Sequence, residues 1–145
     1  MIDNIDSIKE ILKKNNLRIT QSRLAVSSIL LEAGGRPLTP EEIFSKIQVS
    51  SKYNCDQVSV YRVLATFDEL KLVMKSSFYG EASRYVLCES KKDHQHYFKC
   101  YSCNLIEPLK GCVVTRKEKE LEEVGYKNLR HHLEIVGLCP SCASS

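Results

Sequence analysis

Cys100, Cys103, Cys139 and Cys142 form two CxxC pairs far apart in the chain. Two residues between cysteines let both thiolates of a tight turn face one cation, and two such turns supply the four sulfurs of a closed, tetrahedral Zn²⁺ site. A pair of redox CxxC motifs or a disulfide framework would use the same residues. The spacing favours zinc held by all four cysteines. Because the stretch from Cys103 to Cys139 is longer than in a compact zinc ribbon, the ion would clamp two distant segments together. A site with no vacant position is structural and coupled to folding rather than catalytic.

All four histidines, His94, His96, His131 and His132, fall in the same half of the chain. On an extended segment His94 and His96 point the same way, and imidazole is the common ligand of Zn²⁺, Fe²⁺, Ni²⁺ and Mn²⁺. His131 precedes Cys139 by eight residues and can approach from a neighbouring strand. His94, His96 and His131 are therefore expected to hold a second divalent metal, with Glu107, Cys112, Cys88 and Glu118 as candidates for a further ligand. Three histidines with an open position would also suit a catalytic zinc. The nearby carboxylates are scattered glutamates and the first half carries no substrate-shaped motif, so an enzyme is not expected.

The composition bounds what else the chain can do. Its 145 residues are enough for one ordinary domain or two small ones. No apolar run approaches the roughly 18 residues needed to cross a bilayer, and Met1 leads into an acidic, amphipathic stretch, so a cytoplasmic protein is expected. Seven cysteines without a secretion signal fit reduced thiols and metal ligation better than disulfides. Net charge is only +3, with 12 Lys and Arg against 11 Asp and Glu in residues 1–90 and 9 against 7 in residues 91–145. A nucleic-acid partner must therefore be argued from local placement of charge.

The first half supplies that placement. Ile5, Ile8, Ile11 and Leu12 predict a helix stopped at Asn15-Asn16, and Thr20 can cap a second helix that runs to about Glu32 and ends at Gly34-Gly35. Thr39, Pro40 and the acids Glu41 and Glu42 start a third, running to about Ile47. Asp56 can cap a fourth from Gln57 to Leu70, burying Val60, Val63, Leu64, Phe67 and Leu70 and presenting Gln57, Ser59, Tyr61, Arg62 and Thr66. Strands over 72–78 and 83–87 follow, joined at Gly80-Glu81, with Lys75 and Arg84 able to point outward. This is the order of a winged helix-turn-helix, whose last helix enters the major groove while the wing lies along phosphates. Arg62 can clamp phosphate or guanine, Tyr61 can touch a base, and Arg18 and Arg23 can reach backbone phosphates. A solvated helix face is the competing interpretation of the same residues.

Residues 89–93 form a charged connector and the best domain boundary, separating 1–88 from 94–145. Beyond it, short strands at Tyr97-Phe98 and Leu105-Ile106, a helix over 113–124 ended by Gly125, and a strand over 133–136 predict a small α+β unit. So short a segment buries little core and is expected to need the metal and a second subunit.

These residues together resemble the ferric uptake regulator family of metal-dependent transcription factors, over nearly the whole chain. Arg18-Ile19-Thr20-Gln21-Ser22-Arg23 is similar to its R-x-T-x-x-R opening, Pro40-Glu41-Glu42-Ile43 to its third helix, and Val58-Ser59-Val60-Tyr61-Arg62-Val63-Leu64 to its recognition helix. The histidines before Cys100 and the Gly137 before Cys139 complete the match. The resemblance implies a homodimeric repressor that binds a palindromic operator in double-stranded DNA. It implies an α+β architecture with a winged-helix domain first and a dimerisation domain second, one structural Zn²⁺ per chain, and a regulatory Fe²⁺, Zn²⁺ or Mn²⁺. The family's hinge-site histidines are replaced here by Pro37, Gln95 and Tyr97, so that site is lost or rebuilt. His94, His96 and His131 fall on three ligand positions of its second site, while the Glu position falls near Val114 or Thr115 and leaves the fourth ligand open. Tyr85-Val86-Leu87-Cys88 resembles zinc-sensing members, which implies a site built from Cys88, Glu107 and one histidine.

Overall fold

Side-chain caps set the starts of the first four helices. Asn4 accepts from the Ser7 N–H at the head of α1 (Ile5–Lys14), and Thr20 accepts from the Arg23 N–H at the head of α2 (Gln21–Glu32). Before α3 (Pro40–Ser50), Thr39 and Glu42 satisfy each other's backbone N–H groups in a complete capping box, with Pro40 pre-set at the first helical position. Asp56 accepts from the Ser59 N–H before α4 (Gln57–Glu69). The computed structural model describes residues 2–78, 80–88, 95–131 and 133–144. The predicted hinge 89–93, His94 and His132 lie outside the described residues. Among those described, no helix is long and apolar enough to cross a membrane.

The chain divides into two units, Met1–Asp93 and His94–Ser145. In the first, Ile8 and Leu12 of α1, Val26 and Ile29 of α2, Ile43 and Ile47 of α3, and Val60, Leu64 and Phe67 of α4 meet in one core. Each such side chain contributes about 1.5–3 kcal/mol on leaving water, and the four helices are held chiefly by that burial. Helix α3 runs three residues beyond the expected Ile47, because polar Gln48 and Ser50 remain compatible with a helix. The stop is instead Ser51, in the left-handed region at φ 52°.

The wing is an antiparallel hairpin of β1 (Val73–Ser76) and β2 (Arg84–Leu87), in register from Val73↔Leu87 to Ser76↔Arg84. Leu38 and Tyr85 exchange backbone hydrogen bonds of 3.0 and 2.8 Å, which ties β2 to the segment just ahead of α3. Lys75 is exposed, but Arg84 is not. Its guanidinium turns back to the Glu42 carboxylate at 3.0 Å and keeps only 12 % of its side-chain surface. A capping carboxylate one element away provides what an outward arginine would have sought in solvent. One oxygen of Glu42 thus serves both the Thr39 N–H and Arg84. Glu42→Ala is expected to destabilise the first unit by about 1.5–3 kcal/mol, since it removes half the capping box and strands a buried cation. Chemical denaturation of the variant measures this, and a change within error of zero would mean that solvent replaces both contacts.

The second unit is a three-stranded sheet ordered β4-β3-β5, with β3 at His96–Cys100, β4 at Ile106–Leu109 and β5 at Glu134–Gly137. β3 pairs antiparallel with β4 through the first CxxC turn and parallel with β5. The crossover contains α5 (Thr115–Glu123), which lacks a side-chain cap, buries no residue and stops at Gly125 with φ 103°. A one-turn helix not expected from the sequence, α6 (Pro140–Ala143), begins inside the second CxxC with Pro140 at its first position.

Candidate metal centres and DNA-reading face

The parallel β3–β5 pairing builds the cysteine site. Cys100 stands opposite Gly137 in register, so the two strands deliver their CxxC turns to the same end of the sheet. The first turn closes when the Cys100 N–H bonds the Leu105 carbonyl at 2.8 Å, with Asn104 in the left-handed region at φ 61°. The second is fastened by the Tyr101 N–H on the Gly137 carbonyl at 3.0 Å. All four sulfurs, of Cys100, Cys103, Cys139 and Cys142, lie within 4.8 Å of one another, and those of Cys103 and Cys139 are 3.8 Å apart. Tetrahedral zinc with 2.3 Å bonds sets its sulfurs about 3.8 Å apart, so the donor set fits this ion. Backbone N–H groups of Cys103 and Cys139 bring the Cys100 thiol down to about 6. Ser102 acts in the same sense on Cys142, yet the Cys139 and Cys103 thiols push Cys142 up to about 12. Four thiolates this close require a cation between them, and a bound Zn²⁺ would supply that charge.

A second cluster joins β3, the loop before α5 and the segment leading into β5. His96 Nε2 lies 3.2 Å from Cys112 Sγ, Cys112 Sγ lies 3.3 Å from His131 Nε2, and the two Nε2 atoms are 3.0 Å apart. Three atoms that bind metals as lone-pair donors converge on one point, slightly closer together than the roughly 3.3–3.6 Å edges of a tetrahedral metal with nitrogen and sulfur ligands. His96 is 7 % exposed and the other two are half-buried. On the far side of the ring, His131 Nδ1 meets Glu118 Oε1 of α5 at 2.5 Å, and this contact holds the imidazole above its ordinary pKa.

Two of the expected histidines, His96 and His131, are thus joined by one of the four candidate further ligands. Of the candidate further ligands it is Cys112 that meets His96 and His131, while Glu107 stands exposed on β4, outside both clusters. Cys88 follows β2 in the first unit, its N–H on the Leu72 carbonyl at 2.9 Å and its thiol pushed up by burial. His94, assigned to the second metal from the sequence, is outside the described residues.

In the first unit, Gln57, Tyr61 and Arg62 are exposed on α4 and Ser59 is half-covered. Arg62 and Ser59 line a groove of about 260 Å³ with Thr20, Ser22, Arg23 and Thr66, so hydroxyls and two guanidinium groups share one concave surface. Arg18 is exposed beside it, and its carbonyl receives the Arg23 guanidinium. Two features escaped the sequence reading. Tyr61 donates its hydroxyl hydrogen to Glu41 of α3, which lowers the carboxyl pKa and raises that of the phenol. Val58, 59 % exposed on the same helix, offers an apolar contact. Its position off the buried 60-63-64-67 stripe was the available signal.

Residues 14–136 match the model of the ferric uptake regulator family. The chain belongs to that family. It is 30 % identical over 132 residues to the ferric uptake regulation protein of Legionella pneumophila, covering 90 % of this chain and 95 % of that one. The structure is similar to the Vibrio cholerae ferric uptake regulator, at 25 % identity and a TM-score of 0.72 over 90 % of this chain and 98 % of that one. It shares its fold with the Helicobacter pylori ferric uptake regulator, described as having three functional metal binding sites, at 24 % identity and a TM-score of 0.76 over 99 % and 97 %. The α+β architecture and the cysteine cage are those expected of the family. The ferric uptake regulator relationship makes the protein a transcriptional regulator of metal homeostasis.

Proposed function

We propose that the protein is a homodimeric, zinc-responsive repressor. Residues 1–88 bind DNA, 94–145 dimerise and bind metal, and 89–93 connect them. The observation that carries the metal assignment is Cys112 Sγ at 3.2 and 3.3 Å from the two imidazoles. A thiolate with two histidines is a borderline-soft donor set that suits Zn²⁺ better than the harder Mn²⁺, and the four-cysteine cage holds a separate, constitutive zinc. The names of the relatives favour Fe²⁺ as a second reading. By linkage, the metal tightens DNA binding only by as much as it prefers the DNA-competent conformer. His96 opens β3 three residues beyond the connector in sequence.

Gln57, Ser59, Tyr61 and Arg62 read the major groove in this proposal, and Arg18 contacts phosphate. The deciding experiment measures binding to a palindromic and a scrambled duplex while free Zn²⁺, Fe²⁺ and Mn²⁺ are buffered separately. Zinc-stimulated affinity for the palindrome supports the proposal, iron-only stimulation selects the second reading, and indifference to every metal overturns both. Arg62→Ala is expected to weaken operator binding by about 1–3 kcal/mol, roughly 5- to 150-fold, with the unfolding midpoint unchanged because the side chain is exposed. Unchanged operator affinity would remove Arg62 from the interface.

A further inference from the structure

The ring of His131 has two nitrogens, and the structure gives each a different neighbour. Nε2 faces Cys112 and His96, while Nδ1 faces Glu118. A carboxylate accepts, so Nδ1 carries the proton and Nε2 presents its lone pair to the cluster. Glu118 is not itself a donor to that cluster, because the imidazole stands between its carboxylate and the meeting point of the other three atoms. Its side chain keeps 23 % of its surface and that of His131 14 %, so the contact is largely shielded from water.

On helix α5, which carries Glu118, Leu121 is the other half-buried side chain. The helix has no side-chain cap, no buried residue, and a surface of Arg116, Lys117, Lys119, Glu120, Glu122 and Glu123 exposed to solvent. The ion pairs at Arg116–Glu120 and Lys117–Glu120 are internal to the helix and do not attach it to the sheet. Glu118–His131 joins this helix to a side chain of the metal cluster.

We propose that Glu118 is the positioning residue of the second metal site: it fixes His131 with Nε2 aimed at Cys112 and His96, and it couples metal occupancy to the docking of α5. The proposal rests on the cluster being the regulatory site. A fixed tautomer removes the reorientation that binding would otherwise require, and a carboxylate behind the ring makes the opposite nitrogen a better donor. In return, a metal on Nε2 strengthens the Nδ1–H donor and hence its hold on α5. Loss of such a supporting contact weakens metal affinity by about 10- to 100-fold in comparable sites.

The test uses the full chain with its structural zinc in place and Co²⁺ as the probe. The thiolate charge-transfer absorption reports coordination by Cys112, and amide hydrogen exchange reports α5. Glu118→Ala is expected to raise the Co²⁺ dissociation constant by about 10- to 100-fold, retain the absorption at saturation, and lose the metal-induced protection of residues 115–123 seen in the parent. Glu118→Gln keeps an acceptor for Nδ1–H and is expected to lie between the two, which guards against a folding defect in the alanine variant. Unchanged affinity and unchanged protection in both variants overturn the positioning role. Cys112→Ala and His131→Ala test the underlying site: if they bind Co²⁺ like the parent, the site assignment fails. If they lose it while the Glu118 variants do not, only the role of Glu118 fails.

Discussion

Cys139→Ser is expected to remove the structural zinc and unfold residues 94–145 while leaving the winged-helix unit folded. Among the described residues of the second unit, the buried side chains are His96, Tyr97, Lys99, Cys100, Ile106 and Cys139, and two of these six belong to the sulfur cage. Neither α5 nor β5 contributes a buried residue. Structural zinc contributes roughly 10–16 kcal/mol to folding in small zinc peptides at neutral pH, as much as the whole stability of an ordinary domain. Nothing in so thin a core offsets a loss of that size. The first unit has its own core, from Ile8 through Val73, and no cage residue belongs to it. Metal analysis should find the variant depleted of its tightly held zinc, and limited proteolysis should leave a resistant fragment ending near residue 88. A variant that loses the zinc yet protects residues 95–144 from proteolysis would show that the sheet is held by packing instead.

The same contrast explains what could be read from the chain before its fold was known. Thr20, Thr39 and Asp56 were legible as caps because a cap and the N–H it satisfies are three residues apart, within reach of local chemistry. Val60, Val63, Leu64 and Phe67 were legible because a helix turns a spacing into a face. The cysteine cage was legible because each CxxC is itself a local turn, although the pairing that unites the turns is not.

The setting of Arg84 was not legible, for the opposite reason. Its partner Glu42 lies 42 residues earlier, and alternation along a strand cannot reveal a carboxylate brought up from a helix. Cys112 is a similar case. It is 16 residues from His96 and 19 from His131, and its place depends on the parallel β3–β5 register and on the loop before α5. Composition could name it as one of four candidates, and only the crossover connection separates it from Glu107. The tether of Tyr61 to Glu41 likewise needs the packing of α4 on α3.

Cys112→Ala is expected to abolish the metal dependence of operator binding without touching the structural zinc. Among the described residues, the substitution takes away the one soft donor of the cluster and leaves the imidazoles of His96 and His131, a harder set with weaker hold on a borderline metal. Allosteric coupling of this kind is typically worth 1–3 kcal/mol, about a 5- to 150-fold change in affinity, and that whole increment should vanish when free zinc is buffered near the level that saturates the parent. Basal affinity for the palindrome should persist, because Arg62 and its neighbours lie in the other unit. Fluorescence anisotropy of a labelled operator across buffered metal concentrations measures both quantities at once. Cys112→Asp sharpens the comparison: a carboxylate in place of sulfur keeps a charged ligand but hardens the set, so the Zn²⁺ response should need more metal than in the parent and the margin between Zn²⁺ and Mn²⁺ or Fe²⁺ should narrow. If Cys112→Ala keeps the full zinc response, the thiol is a bystander and zinc acts through other ligands. If both variants lose the response to every metal yet still bind operator, the cysteine is required for signalling beyond its choice of ion.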